Sequence, residues 1–288
     1  MNIPIYILNW IKKQGGGSQP TIDWSQIGYA SEPPMIQNGF DYAKQIYDNW
    51  DPSITSMNAM FEMDNNLIYF PNVDFSHVTD MRRCFYLASS LEYIDIINTS
   101  AVTNFGYAFS YTNIKELEID ISSALNFSNG FIGCYALESI NLKNSNNCSV
   151  FAQCFNSCRQ LKNVSLIDTS NAENIESMFN GCTSLESVPQ FDFSKATSGR
   201  TVFAGCSVLK NVPVFNFSKI TSIGNMFQNC PQLTNESLNN IMASCISMTD
   251  FTGTKTLKQL GLTSDQATIC QGLSNYSDFL AAGWTTGY

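Results

Sequence analysis

The stretch SMFNGCTSLESVPQFDFSKATS, residues 177–198, decides the architecture, because its pattern returns through the chain with a period of 24 residues. One phenylalanine sets the register: Phe61, Phe85, Phe109, Phe131, Phe155, Phe179, Phe203 and Phe227 follow at intervals of 24, 24, 22, 24, 24, 24 and 24. Six residues after seven of these stands a leucine (Leu67, Leu91, Leu137, Leu161, Leu185, Leu209, Leu233), with Ile114 one place early in the third unit. Nine after comes Phe70, Ile94, Ile140, Val164, Val188 or Val212. Val73, Ile97, Ile121, Ile167, Phe191 and Phe215 share a further position, and Met57, Met81, Phe105, Phe127, Phe151 and Ile175 stand four before the phenylalanine. One unit supplies several inward side chains but no core of its own, so units must stack to bury them.

Within a unit, Ile175, Met178 and Phe179 are spaced three and four apart, which suits a short helical turn. The following Leu-x-x-Val segment is short and β-branched, which suits a strand. Asp192-Phe193-Ser194 and Asn216-Phe217-Ser218 then turn the chain back. The pattern predicts an α/β solenoid of about eight 24-residue coils over residues 57–233, each a short strand plus a short helical turn. A tightened coil or small irregularity is expected at residues 126–148, the unit that departs by two residues.

The flanks read as caps and a tether. Residues 1–18 join an apolar peptide (Ile3, Ile5, Ile7, Leu8, Trp10, Ile11) to the flexible run Gly15-Gly16-Gly17-Ser18. That peptide either docks to another protein or folds back on the repeats. Its lysines follow the apolar run, whereas a secretory signal places charge before it, and the run is too short to span a bilayer. Synthesis and folding in a cytosol are therefore expected. Residues 19–56 form an N-terminal cap, with Asn38 preceding a helical pattern of Phe40, Ala43, Ile46, Tyr47 and Trp50. Residues 234–288 form a helical C-terminal cap: Leu238, Ile241, Met242 and Cys245 make one apolar stripe, Thr263 or Ser264 starts a second helix, and residues 276–282 make a third.

With 44% apolar and 14% charged residues, the chain can bury a large core while Asn, Ser and Thr supply solubility. A net charge of -9 without a basic stripe argues against nucleic acid and anionic membrane as partners. Among ten cysteines, Cys134, Cys158, Cys182, Cys206 and Cys230 share one repeat position, and Cys84 and Cys154 another. They read foremost as a column of buried free thiols. Zinc and cross-coil disulfides are the minor readings, zinc being disfavoured by a single histidine and the lack of any CxxC pair. No metal site and no cofactor are expected.

One candidate binding strip emerges. Tyr69, Tyr93, Glu116, Ser139, Asn163, Ser187 and Asn211 fall two residues after the repeat leucine or its equivalent, where a strand side chain points away from the core. Tyrosines at one end and amides along the strip could hold a sugar; the alternative is an ordinary solvated face. His77 falls in a polar turn where later units carry Lys195 and Lys219, and reads as solvent-facing. No nucleophile-elbow, phosphate-loop, dinucleotide or calcium-loop motif occurs, so no catalytic residue is nominated and an enzyme is not expected.

The segment MFNGCTSLESVPQFDFSKAT, echoed by VFAGCSVLKNVPVFNFSKIT, resembles the leucine-rich repeat of the BspA-like kind, also seen in mycoplasma surface lipoproteins. The stretch DWSQIGYASEPPMIQNGFDYAKQIYDNWD and the endings TKTLKQLGLTSDQAT and FLAAGWTTGY resemble those of repeat proteins encoded by bacteriophages and prophages of gut bacteria. The resemblance implies a leucine-rich-repeat solenoid on a phage virion, made in the bacterial host cytoplasm. Its first residues would dock to other virion structural proteins and its repeat surface would meet a host glycan or protein, without membrane insertion and with self-association left open. A bacterial surface or effector protein binding a host protein is the alternative.

Overall fold

Backbone hydrogen bonds tie each repeat to the next in parallel. The computed structural model describes residues 42–95, 98–165 and 167–288, so the apolar peptide and most of the expected N-terminal cap lie outside the described residues. The architecture is an α/β repeat with short strands and few helices. Strand β1 (Tyr69–Phe70) pairs in parallel with β2 (Tyr93–Ile94). Strand β3 (Glu116–Asp120) pairs with β4 (Ser139–Lys143), which pairs with β5 (Asn163–Val164), again in parallel. A second line of parallel bridges runs unbroken through Ser56, Asp80, Asn104, Asn126, Val150, Asn174, Ser198 and Ser222.

The expected helical turn around each phenylalanine is not helical. In residues 57–64 the N–H groups of Met60, Glu62 and Asp64 close tight turns onto the carbonyls of Met57, Ala59 and Phe61. The intervening N–H groups of Met57, Ala59, Phe61 and Met63 instead donate to Asp80, Arg82, Cys84 and Tyr86 of the next repeat, at 2.7–2.9 Å. Left-handed residues make this possible: Ala59 (φ 56°) and Met63 (φ 59°) swing alternate N–H groups outward. An α-helix would spend every N–H inside its own unit and leave nothing to bind a neighbour. The same two positions are left-handed in each later repeat, as at Gln153 and Ser157 or Ser177 and Gly181. Gly181 (φ 73°) carries no side-chain penalty there, whereas an L side chain costs about 1–2 kcal/mol.

The polar turns match their sequence reading. Asp74, Asn98, Asp120, Asp168, Asp192 and Asn216 each accept, through Oδ1, the backbone N–H of the serine two residues on. The shortened repeat lies between Asn104 and Asn126, bridged residues 22 apart, one unit earlier than expected. Counting from phenylalanine to phenylalanine had assigned the missing residues to the wrong side of β3. Within 126–148 the irregularity is one 3-10 turn, Ser145–Asn147, after left-handed Asn144 (φ 57°).

The core is a stack of rings. Successive repeat phenylalanines from Phe61 to Phe227 lie 5.0–5.8 Å apart between centroids, with interplanar angles of 2–20°. The leucine and valine columns fill the space beside them, and their described members are buried except for half-buried Ile94.

Both ends of the described repeats are closed by side chains. At one end, helix α1 (residues 42–48) buries Ala43, and Trp50 stacks on Phe75 at 5.5 Å while its Nε1 donates to the Asp74 carbonyl at 3.0 Å. At the other, helix α2 (Asn235–Ile246), N-capped by Thr234, presents serines to the backbone of residues 212–217. Ser237 and Ser244 on α2, and Ser247 just beyond it, accept the N–H groups of Val212, Phe215 and Phe217 at 2.8–2.9 Å. The same hydroxyls donate to the carbonyls of Lys210, Asn240 and Ser244. Helices α3 (Ser264–Cys270), with a Thr263–Gln266 capping box, and α4 (Tyr276–Ala281) follow. Between α2 and α3, Gln259 and Leu260 accept from Asn225 and Phe227, continuing the ladder where the sequence period has vanished.

Two outcomes check this account. Phe155→Ala, in mid-stack and fully buried, is expected to cost about 3–5 kcal/mol in chemical denaturation. Ser244→Ala strands the buried Phe215 N–H and is expected to cost about 1–3 kcal/mol, whereas Ser→Ala at exposed Ser187 should leave the denaturation midpoint in place.

Candidate functional site

The predicted strip is in register. Tyr69 opposes Tyr93, Glu116 opposes Ser139, Ser139 opposes Asn163, and Ser187 bridges Asn211. Its aromatic end, however, is closed. Tyr69 is only 3% exposed, and its hydroxyl donates to Asp95 Oδ2 at 3.0 Å. Burial, followed by the adjacent Asp95 carboxylate, pushes that phenol well above its ordinary range. The alternation that aims every second strand side chain at solvent fails in a strand only two residues long, where Tyr69 and Phe70 are both buried. Tyr93 is half-buried with the Lys115 ammonium 6.0 Å from its ring centre, and Glu116, Ser139, Ser187 and Asn211 are exposed.

Beside the strip runs a feature that the sequence reading missed. In the second to seventh units the residue after the repeat leucine, or after Ile114, alternates in charge: Glu92, Lys115, Glu138, Lys162, Glu186, Lys210. Stacking brings them together as ion pairs, Lys115–Glu92 at 3.4 Å, Lys162–Glu138 at 3.0 Å and Lys210–Glu186 at 3.1 Å. Exposed pairs of this kind contribute about 0–1 kcal/mol each. Their larger effect is on character, because paired charges leave the strip close to neutral. The signal was legible in the column one place after the leucine, which alternates once Ile114 is taken as the leucine position of the third unit.

The cysteine column is aligned as expected, and all ten thiols are free and buried. The structure adds a role for sulfur. Cys134, Cys158, Cys182, Cys206 and Cys230 donate from Sγ to the carbonyls of Phe109, Phe131, Phe155, Phe179 and Phe203, one repeat back, at 3.0–3.1 Å. Each of these carbonyls also accepts the backbone N–H three residues on, and the thiol adds a second partner from a small side chain that still packs as an apolar one. Burial pushes Cys134 up to about 11 and Cys148 and Cys230 to about 12, so these thiols stay protonated and unreactive. His77, Lys195 and Lys219 are all exposed. Among the described residues no group of three or more His, Cys, Asp or Glu side chains could hold a metal ion, and no helix is long and apolar enough to cross a membrane. Among the described residues, exposed aromatic side chains are instead Tyr107, at a left-handed turn position, Tyr135 and Tyr288.

In-phase columns, a neutralised strip and inert thiols define a repeat protein whose outward feature is surface. The model of the family described as "Mycoplasma protein of unknown function, DUF285" matches residues 34–137, 55–165 and 149–262, and the chain belongs to that family. No curated protein matches it. Among solved structures it is similar to the leucine-rich repeat protein of T. pallidum, at 18% identity and a TM-score of 0.42, over 66% of this chain and 75% of that one. It is also similar to a leucine-rich repeat protein of Bacteroides ovatus ATCC 8483, at 21% identity and a TM-score of 0.26, over 63% and 69% of the two chains.

The thiols make stability depend on pH. Their folded-state pKa lies above the ordinary thiol value of 9.0, so the native chain keeps protons that the unfolded chain releases. Stability is expected to be full below about pH 9 and to fall as pH rises toward 11–12, a trend that urea midpoints at stepped pH will read and that Cys134→Ala should weaken.

Proposed function

We propose that the chain is a non-enzymatic recognition protein, a leucine-rich-repeat solenoid of about eight 24-residue coils carried on a phage virion, whose repeat surface adheres to a host cell. The observation that carries the binding role is the unbroken line of parallel bridges from Ser56 to Ser222, which makes equivalent side chains neighbours and so produces broad columns of surface. Support for binding rather than catalysis comes from the reactive groups themselves. The thiols are buried and protonated, Glu92, Glu138 and Glu186 are each paired with a lysine, and His77 stands exposed in a turn. Residues 1–18 are the segment that docks to other virion proteins, and many weak contacts multiplied over many copies supply the attachment.

The virion assignment is supported by the leader and tail wording. The second reading, a bacterial surface or effector protein that binds a host protein, is favoured by membership of a family whose description names Mycoplasma. Mass spectrometry of purified particles of the encoding phage separates them. Peptides of this chain are expected at structural-protein abundance; their absence from particles, with the chain recovered from bacterial envelopes, would transfer the assignment to the second reading.

A further inference from the structure

The adhesion reading leaves open which face touches the ligand, and the backbone of the turns points to an answer. The two left-handed columns favour Gly and Asn, the residues least penalised at positive φ. Of the ten such positions from the fourth repeat on, four hold Gln153, Ser157, Ser177 and Thr201, and six follow that preference with Asn129, Gly133, Gly181, Gly205, Asn225 and Asn229. The second and third repeats do not: the same positions hold Arg83 (φ 54°), Leu87 (φ 60°), Tyr107 (φ 59°) and Tyr111 (φ 60°). Bulky side chains held in a strained conformation mark places where the side chain matters more than backbone comfort.

Two of these residues, Arg83 and Tyr107, border one feature. A hollow of about 450 Å³ opens on the turn face, with Arg83 and Tyr107 in its wall and Gly106 in its lining. A Cβ at Gly106 would stand 3.2 Å from Asn104 Oδ1 and 3.4 Å from Asn126 Nδ2, so glycine keeps that lining open. Tyr107 is 41% exposed and packs edge-on against Tyr86 at 5.9 Å, which in turn meets Tyr111 at 6.0 Å and lies under the Arg83 guanidinium at 4.9 Å. The polar groups come as neutralised pairs. Arg82 binds Asp80 at 3.0 Å, Arg83 binds Glu62, and Asn58, Asn126 and Ser128 add amides and a hydroxyl.

From this arrangement we infer that the hollow beside Tyr107 is a binding site for a short neutral saccharide. A pyranose offers an apolar C–H face and a rim of hydroxyls that both donate and accept. An exposed tyrosine ring suits the face, and guanidinium–carboxylate pairs with amides suit the rim. The pairing of both arginines with acids disfavours an anionic ligand, which would have to compete with Asp80 and Glu62. The site lies on the left-handed turns, no residue of the Tyr69–Tyr93 strip lines it, and it rests on the adhesion reading proposed above.

The test is binding of the full chain to a printed array of short neutral hexose and N-acetylhexosamine oligosaccharides, followed by calorimetric titration of the best binder. Tyr107→Asn removes the ring while placing at a left-handed position a residue that tolerates it, so the fold is retained. Its affinity is expected to drop by roughly tenfold or more without a lower thermal midpoint. Gly106→Ala should weaken binding in the same direction, and Glu116→Ala with Ser139→Ala should leave it unchanged. Failure of the wild-type chain to bind any arrayed saccharide, or undiminished binding by Tyr107→Asn, overturns the site. Wild-type attachment to host cells through a protein epitope would then keep the adhesion reading alone, and attachment to nothing would remove both.

Discussion

The rest of the structure depends on the column of phenylalanine rings. Strands pair about 4.8 Å apart, and the repeat rings lie 5.0–5.8 Å apart and nearly parallel, so each ring fits beside the last only if its repeat is aligned with the one before. Misalignment by one residue would bring a side chain such as Met60 or Glu62, neither of them buried, into the ring column. Once the rings are aligned, every other column follows from the common period. The leucines and valines pack beside the rings, the thiols reach the phenylalanine carbonyls, and the lysines meet the glutamates.

A buried ladder must also satisfy its polar groups, and the chain divides that task by location. Left-handed residues direct alternate N–H groups between repeats, while the others close turns within a repeat. Carbonyls of the repeat phenylalanines that face inward receive a thiol. Beyond the Ser187–Asn211 bridge, the N–H groups of Val212, Phe215 and Phe217 are taken by serine hydroxyls. An edge closed by hydroxyls cannot template another strand, which is one way a repeat protein avoids end-to-end association.

The two faces differ in chemistry although they come from the same repeat. Along the strands, alternating Glu and Lys neutralise one another and leave small polar groups at Ser139, Ser187 and Asn211. Along the turns, tyrosine and arginine gather in the second and third repeats, at positions where the backbone penalises them. A net charge of -9 therefore says little about either face, because several of the charges that border the strands and the hollow are already paired.

Much was legible in the residues themselves. The period, the buried columns, the alignment of the five cysteines, the Asx turns and the capping of α3 all follow from side-chain type at fixed spacing, and spacing is what a sequence records. The conformation of the turns did not follow. Apolar residues three and four apart, such as Ile175, Met178 and Phe179, are compatible with a helix and with alternating-handed turns alike, and only hydrogen bonding to the neighbouring repeat selects the second. The burial of Tyr69 was equally hidden, since it depends on Asp95, a partner 26 residues away. The continuation of the ladder through Gln259 and Leu260 uses backbone alone and leaves no mark on side-chain pattern. Sequence by itself determined which residues recur and therefore which must align; the tertiary structure decided the sign of φ and the direction of each side chain, because those are fixed by contacts between repeats and not by the order of residues within one.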